Sequence, residues 1–360
     1  MSGLDQVVVA DTCLSEIEGE KGQLSLRGYP IGRLAEEHIF EENLYFLLTG
    51  RYPTIEEIGN VSQQLIAAMQ LDEEYLTFLE TVPLHLDAIS YLMVALSAIN
   101  RQKFTWPPTR DQALHLQGTV LAILGQRQSR LEARPLTAPD AQLNFAGNFL
   151  YMIFGQRPTE DETKALDCYF TLTMEHGLNA SSFTSRVITS TESDLISAIV
   201  GAMGALKGPL HGGAPSEVIK MLEEIGRKEN IDTWLKERLE NKEKVMGFGH
   251  RVYRTKDPRA LMLKKVVKSF NREEGWLQLA LALEEKAERA LKAYKPNHSL
   301  KTNVEFYAAA LFKTIGLPQD LYTATFATSR LAGWCAHALE QAENNRIIRP
   351  MSRYIGPKYE

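Results

Sequence analysis

The first candidate for chemistry is a histidine in a stretch rich in glycine and positive charge. Residues 245–259 read VMGFGHRVYRTKDPR, with Gly247 and Gly249 placed before His250. Glycine lets backbone approach a ligand closely, and imidazole exchanges protons near neutral pH. The cations that follow suit a phosphate or a carboxylate, and they are Arg251, Arg254, Lys256 and Arg259. The stretch predicts an anion site with a proton-handling group, and an ordinary charged surface loop is the alternative from these residues alone.

Two other histidines stand in unusual settings, His176 in MEHGLNASSF and His211 in GPLHGGAP. A metal site is disfavoured because neither an HxxxH nor an HxxEH spacing occurs and no cysteine is near. A serine hydrolase lacks its GxSxG elbow, and a phosphate-binding P-loop lacks GxxxxGK[ST]. What remains is a site where exposed backbone lets a ligand approach the rings.

His211 and Glu305 are expected to play opposite parts because each lies at the start of a helix. His211 precedes the apparent helix start at 214–216, where the positive helix end disfavours imidazolium, so the ring should be neutral and donate a hydrogen bond. Glu305 follows the expected cap Asn303, where the helix dipole favours a carboxylate. Glu305 is thus a candidate general base, with simple helix capping as the alternative.

Length and composition set the broad class of the protein. With 360 residues, 44% hydrophobic and 24% charged, the chain fits a globular protein of about two domains. Its net charge of −5 argues against a nucleic-acid partner. Three scattered cysteines predict a reducing compartment. Because neither a signal peptide nor an apolar run of about 18 residues is evident, we expect a cytoplasmic protein with no membrane partner.

Hydrophobic periodicity predicts an all-α fold with a small β hairpin region in the first thirty residues. Capping boxes at Thr54 and Thr159 predict helix starts, Gly208 predicts a helix end, and another helix is expected over about 277–294. TNVEFYAAALFKTIGLP predicts a helix capped by Asn303 and ended by Gly316. Composition marks no domain boundary.

Four segments then carry a resemblance to a known family: HGLNASSFTSRV, LKGPLHGGAPSEV, MGFGHRVYRTKDPR and NVEFYAAA, in this order. Together they resemble the citrate synthases, and the likeness runs from IEGEKGQLSLRGYPI to RIIRPMSRYIGP, nearly the whole chain. The resemblance implies a homodimer of helical subunits. It also implies a large domain of residues 1–213 and 316–360 and a small domain of residues 214–315, which closes on the substrates.

The resemblance implies two sets of binding residues. The oxaloacetate-binding set is His176, His250, Arg259, Arg330 and Arg349, with Arg349 shared across the subunit interface. The coenzyme A-binding set is Arg254, Lys256, Lys301 and the backbone at Gly247 and Gly249.

The resemblance also implies the catalytic roles. Glu305 would remove a proton from the methyl group of acetyl-CoA, and His211 would donate a hydrogen bond to the thioester oxygen. His250 would polarise the carbonyl of oxaloacetate. Hydrolysis of the citryl thioester then gives citrate and coenzyme A, with the coenzyme A thioester as a substrate and neither metal nor redox cofactor required.

One departure from the family pattern concerns Glu305. The usual motif is NVDFY, whereas this chain has NVEFY, and a stem longer by one methylene moves the carboxylate by roughly 1 Å, which can reduce a rate on the order of 10²-fold. Two other functions therefore stay open. One is 2-methylcitrate synthesis from propionyl-CoA, because one methylene discriminates weakly. The other is a non-catalytic protein that binds acyl-CoA and a dicarboxylate.

Overall fold

Helices make up most of this computed structural model, which describes residues 4, 7–99, 104–212, 214–250, 252–270, 275–296 and 300–358. Within these ranges the α-helices are α1 (Ile31–Glu37), α2 (Phe40–Thr49), α3 (Ile55–Ala68), α4 (Glu73–Thr81), α5 (Ala88–Ser97), α6 (Arg110–Leu131), α7 (Phe145–Phe154), α8 (Glu160–Thr173), α9 (Ala180–Thr189), α10 (Leu195–Lys207), α11 (Ala214–Ile225), α12 (Ile231–Glu240), α13 (Pro258–Ser269), α14 (Gly275–Tyr294), α15 (Val304–Thr314) and α16 (Tyr322–Glu343). Short 3-10 helices cover Lys228–Asn230 and Gln319–Leu321. No described helix combines the length and apolar character that crossing a bilayer requires.

A small antiparallel sheet lies near the N-terminus, as predicted. Its strands, in the order β1-β2-β3, are β1 (Ser15–Glu18), β2 (Gln23–Leu26) and β3 (Tyr29–Pro30). Ser15 pairs with Leu26 and Ser25 with Pro30, so the strands form two consecutive tight hairpins. The prediction of an all-α fold with a small β hairpin region is confirmed.

Helix boundaries follow the predicted caps. Thr54 accepts the Glu57 amide at 3.3 Å and Glu57 accepts the Thr54 amide at 2.9 Å, which is a reciprocal capping box. The same box starts α8 at Thr159. Gly208 caps the end of α10, and Asn303 caps α15 by accepting the Glu305 amide at 3.1 Å. The local sequence therefore determines where these helices begin and end.

Helix α16 is the central element of the fold. It packs against α2, α5, α6, α8, α9 and α10 and is buried along most of its length. Buried polar groups interrupt its apolar surface, and they are Thr325, Thr328, Ser329, Arg330, His337 and Gln341. Buried polar and charged groups are unfavourable without partners. This polar stripe therefore indicates that α16 has a role beyond packing.

The predicted small domain corresponds to helices α11 to α15. Among these, α15 packs on both α11 and α13, and α14 packs on α11 and α12. Contacts with the rest of the chain include α13 against α1 and α8, and α11 against α16. The division at residues 213/214 and 315/316 remains a prediction, which this packing supports.

A pair of buried carboxyl groups joins α2, α7 and α8. The Phe145 amide donates to Glu41 Oε1 at 2.5 Å, and the Phe40 amide donates to both oxygens of Asp167 at 3.1 and 3.3 Å. Burial raises the pKa of Glu41 to about 7. Burial and the charge of Glu41 together raise the pKa of Asp167. The two acids therefore hold protons in the folded chain at a pH where the unfolded chain would have released them.

We predict that Glu41→Gln flattens the decline of stability as pH rises. Between the ordinary pKa of 4.5 and the folded pKa of about 7, the folded chain binds more protons than the unfolded chain, so its free energy of unfolding falls with pH. The free energy of unfolding of the variant minus that of the parent should therefore be roughly 1–3 kcal/mol larger at pH 8 than at pH 5. Urea unfolding at both pH values measures this. Glu56→Gln, at an exposed position of α3, is the control, and its stability should depend on pH as the parent's does. If the stability of Glu41→Gln also depends on pH as the parent's does, the raised pKa of Glu41 is contradicted.

Candidate active site

The loop that carries His250 is fastened to the start of α15 by backbone hydrogen bonds. The Gly247 carbonyl accepts the Asn303 amide at 2.9 Å, and the Gly249 amide donates to the Lys301 carbonyl at 2.7 Å. The Asn303 side chain donates to the Gly249 carbonyl at 3.0 Å, so one residue both caps α15 and holds the loop. The histidine and the helix that bears Glu305 are thereby fixed relative to each other.

Glycine is required at two positions of this loop for reasons of space and backbone angle. Gly247 and Gly249 have φ of 78° and 87°, values that favour glycine. A Cβ on Gly247 would lie 2.9 Å from the Phe306 side chain, and one on Gly249 would lie 2.9 Å from Leu300. The predicted role in approaching coenzyme A is therefore accompanied by a structural one, the close packing of the loop on α15.

His250 is neutral and presents a defined donor. Its Nδ1 accepts the amides of Val252 at 3.0 Å and Tyr253 at 3.1 Å. Since backbone amides only donate, the ring proton lies on Nε2. Burial, with a smaller effect from the charge of Arg259, lowers the pKa of His250 to about 4. His250 is therefore arranged to donate a hydrogen bond through Nε2 at neutral pH.

His176 lies beside His250, with their ring centroids 5.4 Å apart. Its Nε2 is 3.0 Å from the hydroxyl of Tyr253, whose buried ring packs against both imidazoles. Burial and then the charges of Arg259 and Arg330 hold the pKa of His176 well below its ordinary value. Two neutral histidines thus face a positively charged environment.

Arg259 and Arg330 are the buried cations of the site. Arg259 forms two hydrogen bonds to Asp257, from Nε at 3.0 Å and from Nη2 at 2.8 Å. Arg330 donates its Nε to the Thr173 carbonyl at 2.7 Å and lies over the ring of Phe326. Burial lowers the pKa of Arg330 to about 10, which still leaves it charged at neutral pH. Their charges make the site suitable for an anionic ligand.

Glu305 is a carboxyl group whose pKa lies near neutrality. The helix-dipole argument favoured the ionised form, but burial raises the pKa of Glu305 to about 7, even though Arg259 and Arg330 act to lower it. Desolvation here outweighs the helix end and both arginines. A carboxyl group with this pKa is matched to accepting a proton at neutral pH.

His211 occupies the position before α11 that its sequence predicted. Its Nε2 lies 2.9 Å from Ser181 Oγ, and that oxygen also receives the Trp334 Nε1 proton at 3.1 Å. Burial, and then the charge of Arg330, lowers the pKa of His211 to about 4. The neutral ring agrees with the sequence argument, but the main cause is desolvation and not the helix end.

The structure brings six of the predicted site residues into one electrostatic neighbourhood. They are His176, His211, His250, Arg259, Glu305 and Arg330. Within it, Arg330 acts on the pKa of His176, His211 and Glu305, which come from three separate parts of the chain. A candidate base, three neutral imidazoles and two cations therefore share a single region.

The remaining predicted binding cations are exposed or paired elsewhere. Arg254 and Lys256 are exposed, and Lys301 pairs with Glu288 at 2.7 Å. Arg349 is exposed on the extended segment after α16. Arg251 lies outside the described residues. The roles assigned to these cations therefore remain predictions.

Three partner residues escaped the sequence argument. Asp257 holds Arg259 and also accepts the Val304 amide at 3.2 Å, and Ser181 contacts His211. Tyr253 contacts His176. A signal existed for Asp257, because Asp before Pro258 is a typical helix start, whereas the other two contacts join segments distant in sequence.

Comparison with known proteins decides the family. Residues 3–351 match the family model described as citrate synthase, C-terminal domain. The chain belongs to the citrate synthase family. The predicted resemblance is confirmed, and with it the assignment to a family of acyltransferase enzymes.

Relatives and a solved structure cover nearly the full length of this citrate synthase family member. A citrate synthase of Haloferax volcanii is 38% identical over 370 residues, spanning 99% of this chain and 96% of the relative. A Bacillus subtilis relative named citrate/2-methylcitrate synthase is 35% identical over 364 residues, spanning 99% and 97%. The citrate synthase of Thermoplasma acidophilum, solved as a ternary complex with carboxymethyl coenzyme A and oxaloacetate, has a TM-score of 0.91 at 31% identity, spanning 99% and 96%.

Metal ligation finds no candidate within the described ranges. There, no three His, Cys, Asp or Glu side chains are grouped so that they could hold an ion. The three histidines of the site instead use their ring nitrogens on Ser181, on Tyr253 and on backbone amides.

We predict that Gly247→Ala destabilises the protein by about 2–4 kcal/mol, because a left-handed backbone angle and a close contact with Phe306 both oppose a methyl group. Urea unfolding measures the loss. Gly59→Ala is the matched control: Gly59 lies on exposed α3 with open space around its Cα, so alanine there should be neutral or stabilise by up to about 1 kcal/mol. If the two substitutions changed the free energy of unfolding equally, the loop would not require glycine at Gly247.

Proposed function

We propose that this enzyme condenses acetyl-CoA with oxaloacetate and hydrolyses the citryl thioester to citrate and free coenzyme A. The observation that carries the proposal is Glu305, a carboxyl group with a pKa near 7, placed within the electrostatic reach of two buried arginines. The solved relative that binds oxaloacetate and a coenzyme A analogue supports the same substrates for this chain.

Oxaloacetate is proposed to bind among His176, His250, Arg259 and Arg330. Two guanidinium groups match the two carboxylates of the substrate. The Nε2 proton of His250 would then be donated to the keto oxygen, where negative charge develops during carbon–carbon bond formation. A neutral donor suits this step, because its hydrogen bond stabilises the negative charge as that charge develops on the keto oxygen.

Acetyl-CoA activation is proposed to use Glu305 and His211. Glu305 would take a proton from the methyl carbon, while His211 donates a hydrogen bond to the thioester oxygen. Donation through Nδ1 requires His211 Nε2 to accept the Ser181 hydroxyl proton across 2.9 Å, in place of the hydrogen bond that this hydroxyl donates to Asn179 Oδ1 at 2.7 Å. The resulting enolate carbon attacks the keto carbon of oxaloacetate, the alkoxide so formed takes up a proton, and water then cleaves the thioester to give citrate and coenzyme A. No step of this chemistry requires a metal or a redox cofactor, since the coenzyme A thioester is itself a substrate.

Coenzyme A recognition and assembly extend the proposal to exposed residues. Arg254 and Lys256 are free to meet coenzyme phosphates, whereas Lys301 would exchange its ion pair with Glu288 for such a contact.

The exposure of Arg349 supports its contribution to the site of a second subunit in a homodimer. Closure of the small domain, residues 214–315, would exclude water from the first step. The free thiols of Cys13, Cys168 and Cys335 support a reducing compartment, the cytoplasm.

A second candidate function is 2-methylcitrate synthesis from propionyl-CoA. It is favoured by a relative that bears both names at 35% identity, close to the 38% of the first relative. The two reactions share every chemical step and differ by one methylene in the acyl pocket, which is worth only about 1–3 kcal/mol.

We predict that thiol release with oxaloacetate is faster with acetyl-CoA than with propionyl-CoA, measured as kcat/KM for each acyl donor. A reversed preference would favour the second candidate. Binding of both substrates without thiol release would favour a non-catalytic binder. Omission of oxaloacetate is the control, since hydrolysis of acetyl-CoA alone must be negligible if closure excludes water from the first step.

We also predict that kcat/KM for acetyl-CoA falls as pH decreases through about 7, because Glu305 gains a proton and can no longer act as a base. His211 and His250, each with a pKa of about 4, stay neutral over this range and contribute no change above pH 5. Glu305→Gln should lower kcat by a factor on the order of 10²–10⁴, whereas Glu305→Asp keeps a carboxylate and should retain activity. A flat profile from pH 5.5 to 8, or full activity in the Gln variant, contradicts the role.

A further inference from the structure

Glu175 is a fully buried carboxylate that lies directly before His176. It follows the end of α8, and its Oε1 accepts the Gly177 amide at 2.5 Å and the Ser15 hydroxyl at 2.9 Å. The same oxygen lies 3.2 Å from His337 Nε2. Glu175 therefore holds the turn that presents His176 and joins that turn to strand β1 and to α16.

The His337 contact has a defined direction. Arg186 Nη1 lies 3.0 Å from His337 Nδ1, and a guanidinium group only donates, so Nδ1 is the acceptor. The ring proton then lies on Nε2 and is donated to Glu175. Both partners are wholly buried on α16 and after α8, so the hydrogen bond is formed away from solvent.

The charge of Glu175 acts directly on Arg330. Although burial opposes ionisation, His337 and Arg330 hold the pKa of Glu175 below its ordinary value, so the group is a carboxylate. Among the charges that raise the pKa of Arg330, Glu175 has the largest effect, while burial and Arg259 oppose its positive charge. An ionised Glu175 thus offsets the unfavourable placement of Arg330 close to a second arginine.

The fold makes room for this carboxylate at one position of α16. Gly333, three residues after Arg330, has no side chain, and a Cβ there would lie 2.5 Å from Glu175 Oε2 and 2.4 Å from the Met174 carbonyl. The Gly333 amide also donates to the Met174 carbonyl at 3.1 Å. The helix that bears Arg330 is therefore packed directly onto the residue whose charge balances it.

We infer that Glu175 is a positioning residue for dicarboxylate binding, which keeps Arg330 and the His176 turn in place for oxaloacetate, with His337 orienting it. This inference rests on the proposed function. It assigns Glu175 no contact with substrate. Its expected signature is a loss of affinity for oxaloacetate that leaves the use of acetyl-CoA almost unchanged.

Another carboxylate of the same buried network provides a matched control. Glu340 pairs with Arg186 at 2.6 Å and accepts the Cys13 amide at 2.8 Å. It belongs to the same chain of contacts as Glu175, yet it does not figure among the charges that act on Arg330. If Glu175 only supported the fold, Glu175→Gln and Glu340→Gln would have similar effects.

The experiment compares steady-state thiol release by the full-length parent, Glu175→Gln, Glu175→Asp and Glu340→Gln, each with its melting temperature. For Glu175→Gln we expect KM for oxaloacetate to rise about tenfold or more while KM for acetyl-CoA changes less than about threefold. Glu175→Asp keeps the charge on a shorter stem and should fall between the parent and the Gln variant. Glu340→Gln should melt at a lower temperature with KM for oxaloacetate unchanged.

Each other result has a definite meaning. Parent-like KM for oxaloacetate in Glu175→Gln, or an equal rise in Glu340→Gln, overturns the inference and leaves the proposed function standing. If Glu175→Gln does not fold, a parent-like KM in Glu175→Asp overturns it equally. Absence of thiol release by the parent itself, with both acetyl- and propionyl-CoA, would instead refute the proposed function and the inference together.

Discussion

The carboxylate of Asp257 forms the interaction on which the candidate site depends. It accepts two hydrogen bonds from the Arg259 side chain, a third from the Arg259 amide and a fourth from the Val304 amide at the start of α15, all within the buried interior. One side chain thereby joins a cation of the site to the helix that carries Glu305. Because burying a carboxylate is unfavourable unless it is hydrogen-bonded, displacement of any of these donors would be costly. The relative position of base and cation follows from it.

Desolvation, more than any single charge, determines the protonation states of the site. The same burial that keeps His176, His211 and His250 neutral raises the pKa of Glu305 toward neutrality. Arginine charges reinforce the first effect and oppose the second. A buried cationic region therefore produces neutral donors and a base of suitable pKa together. The sequence arguments for His211 and Glu305 assigned too much to the helix dipole, because desolvation is the larger effect on both pKa values.

Prediction from sequence succeeded where the determining contacts are local. Capping boxes, the Asn303 cap and the Gly208 end of α10 each depend on residues within a few positions. The partners Ser181 and Tyr253 depend on contacts across 30 and 77 residues, and Glu175 meets His337 across 162. Such pairings arise only when helices pack, so periodicity and capping contain no information about them. The family motifs predicted the candidate site residues but not the groups that hold them.

The longer side chain of Glu305, compared with the aspartate of the usual motif, affects where its carboxylate can lie. The backbone at the start of α15 is fixed by the Asn303 amide and side chain on the His250 loop and by the Val304 amide on Asp257. These contacts prevent the helix from withdrawing to compensate for a longer stem. The torsions of the side chain itself must therefore accommodate the additional methylene, within the same buried surroundings that raise the pKa of Glu305. A shorter acid would place its carboxylate at a different point, and so in the proposed mechanism the length of this one side chain helps to determine where the reacting carbon must lie.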